Sequence, residues 1–200
     1  MQCPDVVDIY DAQKERTVRA TVVELSPSEA RKHIDLAWRT IANAELDRFR
    51  REPDWEWAWA KIASDTHEAD FAVTVGVRLT DRSIQGAMAY RWNGESFTEP
   101  ETIALEVELL ATAPLNRSHI TTQPRFRGVG TALLLHAICH SYFLGLRGRT
   151  VLRAIDQPEV LDFYRHRGFE SIRTGPADTI LMELAPAAAQ KLLRDEGMLS

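Results

Sequence analysis

The sequence has little cysteine, no long apolar run and no excess of positive charge. Cys3 and Cys139 are the only two cysteines in 200 residues, which excludes a disulfide framework and favours a reducing compartment. No window approaches about 18 uninterrupted apolar residues, and the start lacks the basic and apolar segments of a signal peptide. We therefore expect a cytoplasmic protein that is neither exported nor inserted in a membrane.

The chain is acidic overall. Its net charge of −5 and pI near 5.7 argue against a general nucleic-acid binder, because such domains are usually strongly basic. A local basic patch is still compatible with this charge. The hydrophobic share of 44% and the charged share of 26% are those of ordinary globular proteins, and the length suffices for one substantial core. We expect a single domain over residues 1–200.

The apolar pattern, together with turn and capping residues, predicts alternating groups of strands and helices. Ser26, followed by Pro27 and Glu29, predicts the start of a helix that ends near Pro53. Gly145 and Gly168 are predicted to end later helices. Helices are predicted over 54–64, 128–144, 158–167 and 186–197. Strands are predicted over 6–10, 17–24, 71–79, 84–92, 103–112, 150–155, 169–173 and 179–184. This order predicts an α/β fold with a mixed sheet, not a regular βα alternation.

A glycine-containing segment lies between a predicted strand and a predicted helix: Arg125-Phe126-Arg127-Gly128-Val129-Gly130. Backbone N–H groups at a helix start bind anions, and glycine lets a phosphate approach the backbone. Two other phosphate motifs are excluded. Thr131 stands where a P-loop has lysine, and Leu133 stands where a dinucleotide fingerprint has its third small residue. On its own, the segment also fits an ordinary turn.

A second motif follows after one more predicted strand: Asp162-Phe163-Tyr164-Arg165-His166-Arg167-Gly168-Phe169. A strand with acidic residues, then Arg-x-x-Gly-x-Gly-x-x-Leu-Leu at a helix start, then Phe-Tyr-x-x-x-Gly-Phe resembles the consecutive core motifs of the GNAT superfamily of acetyltransferases. The resemblance covers residues 103–169. It implies the GNAT fold, which is a mostly antiparallel central sheet with splayed central strands and flanking helices. It also implies acetyl-CoA as cosubstrate.

The resemblance further implies roles for individual residues. The pantetheine arm of CoA would bond Leu110, Ala111 and Thr112, where strand 103–112 splays from strand 150–155. Tyr164 takes the place of the tyrosine that protonates the departing thiolate, although an aromatic that packs its helix onto the sheet is the alternative. The pyrophosphate of CoA would be held by the loop residues Arg125, Phe126, Arg127, Gly128, Val129, Gly130 and Thr131.

Glu106 and Glu108 lie two apart on a predicted strand, so their side chains leave the same face about 7 Å apart. An acceptor amine with a solution pKa of about 10 must lose a proton before it attacks a thioester, and a carboxylate can accept that proton. By the resemblance, Glu106 matches the base of some histone-acetylating members. Glu108 lies nearer the splay and is the preferred candidate. Alternatively, one or both carboxylates pair with an arginine on a neighbouring strand, such as Arg91.

The connection over 115–124 is longer than its counterpart in the family. We expect Asn116, Arg117 or His119 to line the acceptor site. A surface loop without a chemical role fits the length equally well.

Two further groups of side chains receive no chemical role. His136 and His140 share a helix face but lack a third ligand, so we predict no metal site and expect both rings to face solvent. The other arginines around the motifs are predicted to form a solvated rim, with attraction of the CoA phosphates as the alternative: Arg147, Arg149, Arg165 and Arg167.

The motifs together predict an N-acetyltransferase that moves an acetyl group from acetyl-CoA to a primary amine by direct attack, without a covalent enzyme intermediate. Two alternatives stay open. One is an acyl-CoA-binding regulator without turnover. The other is an acetyltransferase that acts on a protein or aminoacyl-tRNA amine, although the acidic chain makes a nucleic-acid partner less expected. Exposed sheet edges would also permit a homodimer.

Overall fold

The computed structural model of the protein describes residues 3–41, 48 and 52–199. Its strands are β1 (Val6–Asp11), β2 (Arg16–Glu24), β3 (Ala72–Arg78), β4 (Ile84–Glu95), β5 (Ile103–Thr112), β6 (Phe126–Arg127), β7 (Thr150–Ile155), β8 (Glu170–Thr174) and β9 (Thr179–Leu184). They form one mixed sheet in the order β6-β1-β2-β3-β4-β5-β7-β9-β8.

The helices carry the numbers α1 to α6 in chain order. A π-helical segment, Arg31–Leu36, joins the first two, and another, Tyr142–Leu146, continues the fourth. A short 3-10 helix covers Pro114–Asn116. The α-helices are α1 (Pro27–Ala30), α2 (Ala37–Ile41), α3 (Trp59–His67), α4 (Val129–Ser141), α5 (Pro158–Arg165) and α6 (Pro186–Asp195).

The chain folds as two compact units. Unit 1 comprises Met1–Pro4, Tyr90–Glu108 and Leu135–Ser200, and unit 2 comprises Asp5–Ala89 and Leu109–Leu134. The residues selected from the sequence divide between them. Unit 2 contains the segment 125–130, called the glycine loop below, together with residues 110–112 and the 115–124 connection. Unit 1 contains Glu106, Glu108 and Tyr164.

In unit 2, an antiparallel ladder of β1, β2 and β3 carries the first helices. α1 begins with the predicted cap: the Ser26 hydroxyl accepts the Glu29 N–H at 3.3 Å, and the Glu29 carboxylate accepts the Ser26 N–H at 3.2 Å. The side chain of Trp38 is buried and donates from Nε1 to the Ile84 carbonyl at 3.0 Å. The predicted start of this helix is confirmed, while its predicted end near Pro53 adjoins residues 42–47 and 49–51, which lie outside the described residues.

α3 begins five residues later than the sequence pattern indicates, at Trp59 instead of residue 54. The cause is a cap supplied from elsewhere in the chain. The Asp35 carboxylate accepts the N–H groups of Trp59 at 2.9 Å and Ala60 at 3.0 Å. Such a side chain satisfies the donors that every helix start leaves open, so Asp35 fixes where α3 starts.

In unit 1, β7 lies between β5 and β9 and pairs with them in opposite senses. Its parallel ladder with β5 joins Leu105–Val107 to 150–152, and its antiparallel ladder with β9 extends from Thr150 to Ile155. α5 ends before Gly168, whose φ of +85° is the left-handed conformation predicted for a glycine that ends a helix.

A buried ion pair lies beneath the β4–β5 connection of unit 1. The Glu183 carboxylate accepts from Arg149 Nη1 at 2.5 Å, from the Ser96 hydroxyl at 2.8 Å and from the N–H groups of Phe97 at 2.7 Å and Thr98 at 3.0 Å. Arg149 is only 5% exposed. The prediction that Arg149 belongs to a solvated rim is therefore wrong, because a buried charge needs a partner and Glu183 provides it.

The histidines of α4 are not turned to solvent as expected. His140 Nδ1 shares a hydrogen bond of 2.9 Å with the buried Tyr90 hydroxyl, and His136 Nε2 lies 3.5 Å from the same oxygen. Burial lowers the pKa of His140. Both rings thus pack against β4, where Tyr90 provides their polar contact. Among the described residues, no group of three or more potential metal ligands forms.

One strand, β6, was absent from the sequence prediction. It is a two-residue strand in which Phe126 and Arg127 pair with Asp11 and Tyr10 of β1.

The helical stretch Val129–Leu146 has the length and apolar composition of a membrane-crossing helix. Half of it is buried inside the structure, and the core helix of a globular protein can have the same length and composition.

Candidate functional site

The glycine loop of unit 2 is held by backbone hydrogen bonds on both sides. The Arg125 N–H donates to the Leu115 carbonyl at 2.9 Å, and the Arg125 carbonyl accepts the Ala12 N–H at 2.8 Å. The Phe126 N–H donates to Asn116 Oδ1 at 3.0 Å. These bonds and the β6–β1 pairing fix the loop to the sheet just before α4 begins.

Gly128 occupies the turn from the loop into α4. Its φ is +86°, and a Cβ atom built there would meet no atom within 4 Å. The glycine is therefore required by its conformation, and the space beside it is open. The first intrahelical bond runs from the Ala132 N–H to the Gly128 carbonyl at 2.9 Å, so the preceding N–H groups have no acceptor within the helix. This helix start suits an anion such as phosphate.

Two arginines precede Gly128 in the glycine loop. Arg127 is exposed, whereas Arg125 is half-buried, with its guanidinium carbon 4.8 Å from the centre of the Phe126 ring. Arg125 Nε is buried and has no hydrogen-bond partner among the described residues. A buried donor without a partner is costly, so Arg125 can donate to an anion without breaking an existing bond. Phe126 itself is buried, which leaves only its backbone for a ligand.

The end of β5 in unit 2 carries the three residues predicted to bond pantetheine. Ala111 is buried, while Leu110 and Thr112 are half-buried. The Thr112 carbonyl already accepts from Arg117 Nε at 2.8 Å and from Arg117 Nη2 at 2.6 Å. Both lone pairs of this carbonyl are thus used, and it is not an acceptor for a pantetheine amide.

The parallel ladder of unit 1 ends early. β5 pairs with β7 only over Leu105–Val107 and 150–152, although β7 continues to Ile155 and is paired with β9 over its whole length. The described ladder therefore ends immediately before Glu108. This agrees with the splay that the resemblance implies for strands 103–112 and 150–155.

Glu106 is buried and bound by two arginines. Its Oε2 accepts from Arg91 Nη2 at 2.6 Å and Nε at 3.0 Å, and its Oε1 lies 3.1 Å from Arg153 Nη1. Its side chain is 6% exposed. Both of its oxygens are therefore already in contact with arginines, which leaves little room for an acceptor amine to approach Glu106. The alternative interpretation, a pair with Arg91, is confirmed for Glu106.

Glu108 has a different environment on the same strand. Its side chain is 37% exposed, and its Oε1 lies 3.4 Å from Arg91 Nε. Burial raises the pKa of Glu108, and the nearby Glu106 carboxylate adds to that rise, while Arg91 and Arg153 oppose it. Of the two carboxylates, Glu108 is the more accessible.

Sequence reasoning missed two residues that position these carboxylates. A Cβ atom on Gly94 would lie 2.8 Å from the Cβ of Glu106, so glycine on β4 leaves room for that side chain. Arg153 supplies the second positive charge on Glu106. Its place on a strand parallel to β5 was a usable signal, whereas nothing in the sequence singled out Gly94.

Tyr164 lies on the buried face of α5 in unit 1. Its ring makes edge contacts with Phe163 at 5.0 Å and Phe169 at 5.7 Å between centroids. Burial raises the pKa of Tyr164 to about 12, against a smaller lowering by Arg167. The hydroxyl is therefore protonated at neutral pH, as an acid must be. The aromatic contacts equally suit a packing role, and the role of Tyr164 as acid stays a prediction.

The residues of the 115–124 connection have structural contacts in unit 2. Asn116 Nδ2 donates to the Gln85 carbonyl at 3.1 Å. Arg117, whose side chain is 9% exposed, forms a two-pronged ion pair with Asp54. His119 is exposed, and its Nε2 lies 2.9 Å from Glu52 Oε2. Of the three, only His119 presents most of its side chain to solvent. Contact of any of them with an acceptor stays a prediction.

The whole chain was also compared with known proteins. No protein-family model and no curated protein sequence matches it. Several solved structures match it. The histone acetyltransferase HPA2 and related acetyltransferase from Corynebacterium glutamicum aligns with 84% of this chain and 96% of its own, at 19% identity and TM-score 0.55.

Two further structures are similar. The PaiA N-acetyltransferase from Thermoplasma acidophilum, solved in complex with coenzyme A, aligns with 82% of this chain and 97% of its own at 15% identity and TM-score 0.53. FdhC, a nucleotide-linked sugar GNAT, aligns with 90% and 94% at 9% identity and TM-score 0.59. At these identities the likeness concerns the fold, and it confirms the predicted fold class. The chain has the GNAT acetyltransferase fold.

Proposed function

We propose that this chain is an acetyl-CoA-dependent N-acetyltransferase. The observation that carries the proposal is the glycine loop of unit 2. It combines a left-handed Gly128, open space beside it and the start of a 13-residue helix. These features suit the pyrophosphate of CoA. The T. acidophilum structure of the same fold was solved with coenzyme A, which supports the same choice of ligand.

In this proposal, backbone N–H groups from Arg127 to Thr131 hold the pyrophosphate. The Arg125 guanidinium, which has a buried Nε without a partner among the described residues, adds a charge-assisted hydrogen bond. Because the Thr112 carbonyl is already occupied by Arg117, the pantetheine contacts fall to the backbone of Leu110 and Ala111 and to the N–H of Thr112.

Glu108 is the proposed base. An amine with a pKa of about 10 is mostly protonated at neutral pH, and its lone pair is released only when a base removes that proton. The raised pKa of Glu108 makes it a better acceptor than an ordinary carboxylate. The two carboxylates and the two arginines 91 and 153 carry no net charge together, so this cluster does not by itself select a cationic acceptor.

Tyr164 is proposed to act on the CoA sulfur as the C–S bond breaks. A tyrosine with a pKa of about 12 is a weaker acid than a thiol with a pKa of about 8.5. Full proton transfer to the thiolate would therefore be unfavourable by roughly 5 kcal/mol. We assign Tyr164 the role of a hydrogen-bond donor that stabilises the thiolate, which then takes its proton from solvent.

The test is CoA release from acetyl-CoA in the presence of a panel of primary amines, with acetyl-CoA binding measured on the same preparation by calorimetry. Release with one amine class is expected to fall by roughly 100-fold in Glu108→Gln, since a positioned base contributes about 100-fold or more. A similar fall is expected in Tyr164→Phe, since one hydrogen bond donated to developing negative charge contributes about 100-fold or more. Binding of acetyl-CoA should persist in both variants. Binding without release for any amine would replace the enzyme with a CoA-binding regulator.

A further inference from the structure

A groove of about 780 Å³ lies in unit 2, apart from every residue assigned above. Its walls come from β1, β2, the helical stretch after Ser26, the end of β3 and the β3–β4 turn. All its lining residues fall between Val6 and Ile84 and so belong to one compact unit. The volume suits a ligand of nucleotide or drug size.

The charge of this groove is opposite to that of the chain. One carboxylate, Glu29, faces it, and its Oε1 lies 3.3 Å from Arg78 Nη1. Against that single negative charge stand four cationic side chains, Arg19, Lys32, Arg78 and Arg82, and His33 also lines the groove. The whole chain carries a net charge of −5. A concentration of positive charge in a concave surface of an acidic protein is a local field suited to an anion.

Arg82 reaches the groove from a backbone conformation that arginine rarely adopts. Its φ is +67° in the β3–β4 turn, where glycine or asparagine is the usual residue. The turn is fixed by Asp81 Oδ1, which accepts from the Ser83 hydroxyl at 2.6 Å and from its N–H at 2.9 Å. A left-handed residue with a Cβ costs about 1–2 kcal/mol. Arg82 therefore lines the groove from a turn conformation that it adopts at some cost in stability.

The six remaining lining residues divide equally between hydroxyl-bearing and apolar side chains, the apolar ones being Val6, Leu79 and Ile84. Thr21, Ser28 and Thr80 add hydroxyl groups to the basic residues. Guanidinium groups bind phosphate through paired N–H donors, and hydroxyls complete such contacts. Several cations facing one space also indicate a ligand with more than one negative charge, because a single phosphate can contact only a few of them.

We propose that this groove binds a small oligophosphate, either an inorganic chain or a nucleoside di- or triphosphate. Its position, charge and size carry the inference, which holds whether or not the chain transfers acetyl groups. A long nucleic acid fits less well, because the strongly negative remainder of the chain would repel a polyanion that extends past the groove.

The experiment is calorimetric titration of tripolyphosphate into the whole chain, with ATP and orthophosphate as separate arms. Orthophosphate is expected to bind at least tenfold more weakly than tripolyphosphate. Similar affinity for ATP and tripolyphosphate would indicate recognition of the phosphates alone, and tighter binding of ATP would indicate that the nucleoside contributes. No saturable binding of either at millimolar concentration would overturn the proposal.

Variants locate the binding site. Arg82→Gly removes the guanidinium and the strained φ together, so it should fold at least as well as the parent while weakening tripolyphosphate binding roughly tenfold or more, the loss typical of one charge-assisted hydrogen bond. The double variant Arg19→Gln with Lys32→Gln should weaken it further. Arg173→Gln removes an exposed arginine of β8 in unit 1 and should leave affinity unchanged.

The glycine loop is the competing phosphate site, and the variant Gly128→Ala distinguishes binding at this loop from binding in the groove. Tripolyphosphate binding that survives in Gly128→Ala but fails in Arg82→Gly supports the groove. The reverse pattern would place the bound tripolyphosphate on the loop and refute the groove. If CoA fails to bind while tripolyphosphate still requires Arg82, the acetyltransferase proposal fails and the groove stands.

Discussion

Gly128 and Gly145 form a matched pair for testing whether the glycine loop binds CoA. Their φ values are +86° and +85°, and a Cβ atom on either would meet no atom within 4 Å. Alanine at each position should therefore carry the same conformational penalty. That penalty is about 1–2 kcal/mol for a left-handed residue with a Cβ, reduced by roughly 0.5–1 kcal/mol because alanine has less entropy to lose on folding. We expect both variants to lose about 0.5–1 kcal/mol in free energy of unfolding.

Their effects on CoA should differ sharply. The Cβ of Gly128→Ala would occupy the open space where the pyrophosphate is proposed to approach the backbone. Gly145 lies at the other end of the same helical stretch, within Tyr142–Leu146. Loss of one charge-assisted hydrogen bond, about 1.5–3 kcal/mol, corresponds to CoA binding that is roughly 10- to 100-fold weaker. Gly145→Ala should bind CoA as the parent does.

Urea unfolding and calorimetric titration of CoA measure the two quantities separately. Equal stability losses with weaker CoA binding only in Gly128→Ala are the expected result. The reasoning fails if both variants lose CoA affinity equally, since the effect would then arise from folding. It fails too if Gly128→Ala binds CoA normally, because the pyrophosphate would then lie elsewhere.

Three other predictions follow from contacts within single units. Burial raises the pKa of Glu108 above its usual 4.5, so its contribution to stability is fully present below pH 4.5 and is lost as the pH rises through the folded-state pKa. Glu108→Gln should accordingly gain stability relative to the parent between about pH 4 and pH 7 in urea unfolding, and a pH-independent difference would contradict this. Asp35→Ala should lower the free energy of unfolding by about 1 kcal/mol through loss of the α3 cap, whereas Asp65→Ala, which removes the exposed Lys61–Asp65 pair, should cost about 0.5 kcal/mol or less; equal losses would deny Asp35 the role of cap. Gly94→Ala should cost about 1–3 kcal/mol, because its Cβ would lie 2.8 Å from the Cβ of Glu106, and a neutral result would show that the strands can move apart.

Local signals in the sequence were sufficient for much of the fold. Ser26 caps the helix start that the sequence predicted, and Gly145 and Gly168 adopt the left-handed conformation expected at helix ends. β5 and β7 have the predicted bounds. In each case a few neighbouring residues determine the outcome, so a pattern read along the chain contains the required information.

Contacts between distant residues explain what the sequence could not give. Asp35 caps α3 across 24 residues, and β6 forms because Phe126 meets β1 more than a hundred positions earlier in the chain. The pairing of Glu106 with Arg91 in the candidate site was predicted as an alternative. The burial of Arg149 against Glu183, which lies outside that site, was not predicted. No periodic pattern distinguishes an arginine that will be buried from one that will be solvated.

The contacts of Glu183 also bear on the order in which the protein can fold as it is made. The β4–β5 connection relies on this carboxylate, which accepts from Ser96, Phe97 and Thr98 and lies 85–87 residues further along the chain. A nascent chain that ends before β9 lacks the Glu183 acceptor for the Phe97 N–H, and its Arg149 has Glu99 as its only acidic partner among the described residues. Full ordering of this connection therefore awaits synthesis of the last strand. A chain truncated before residue 183 should retain the connection as an unstructured, protease-sensitive segment.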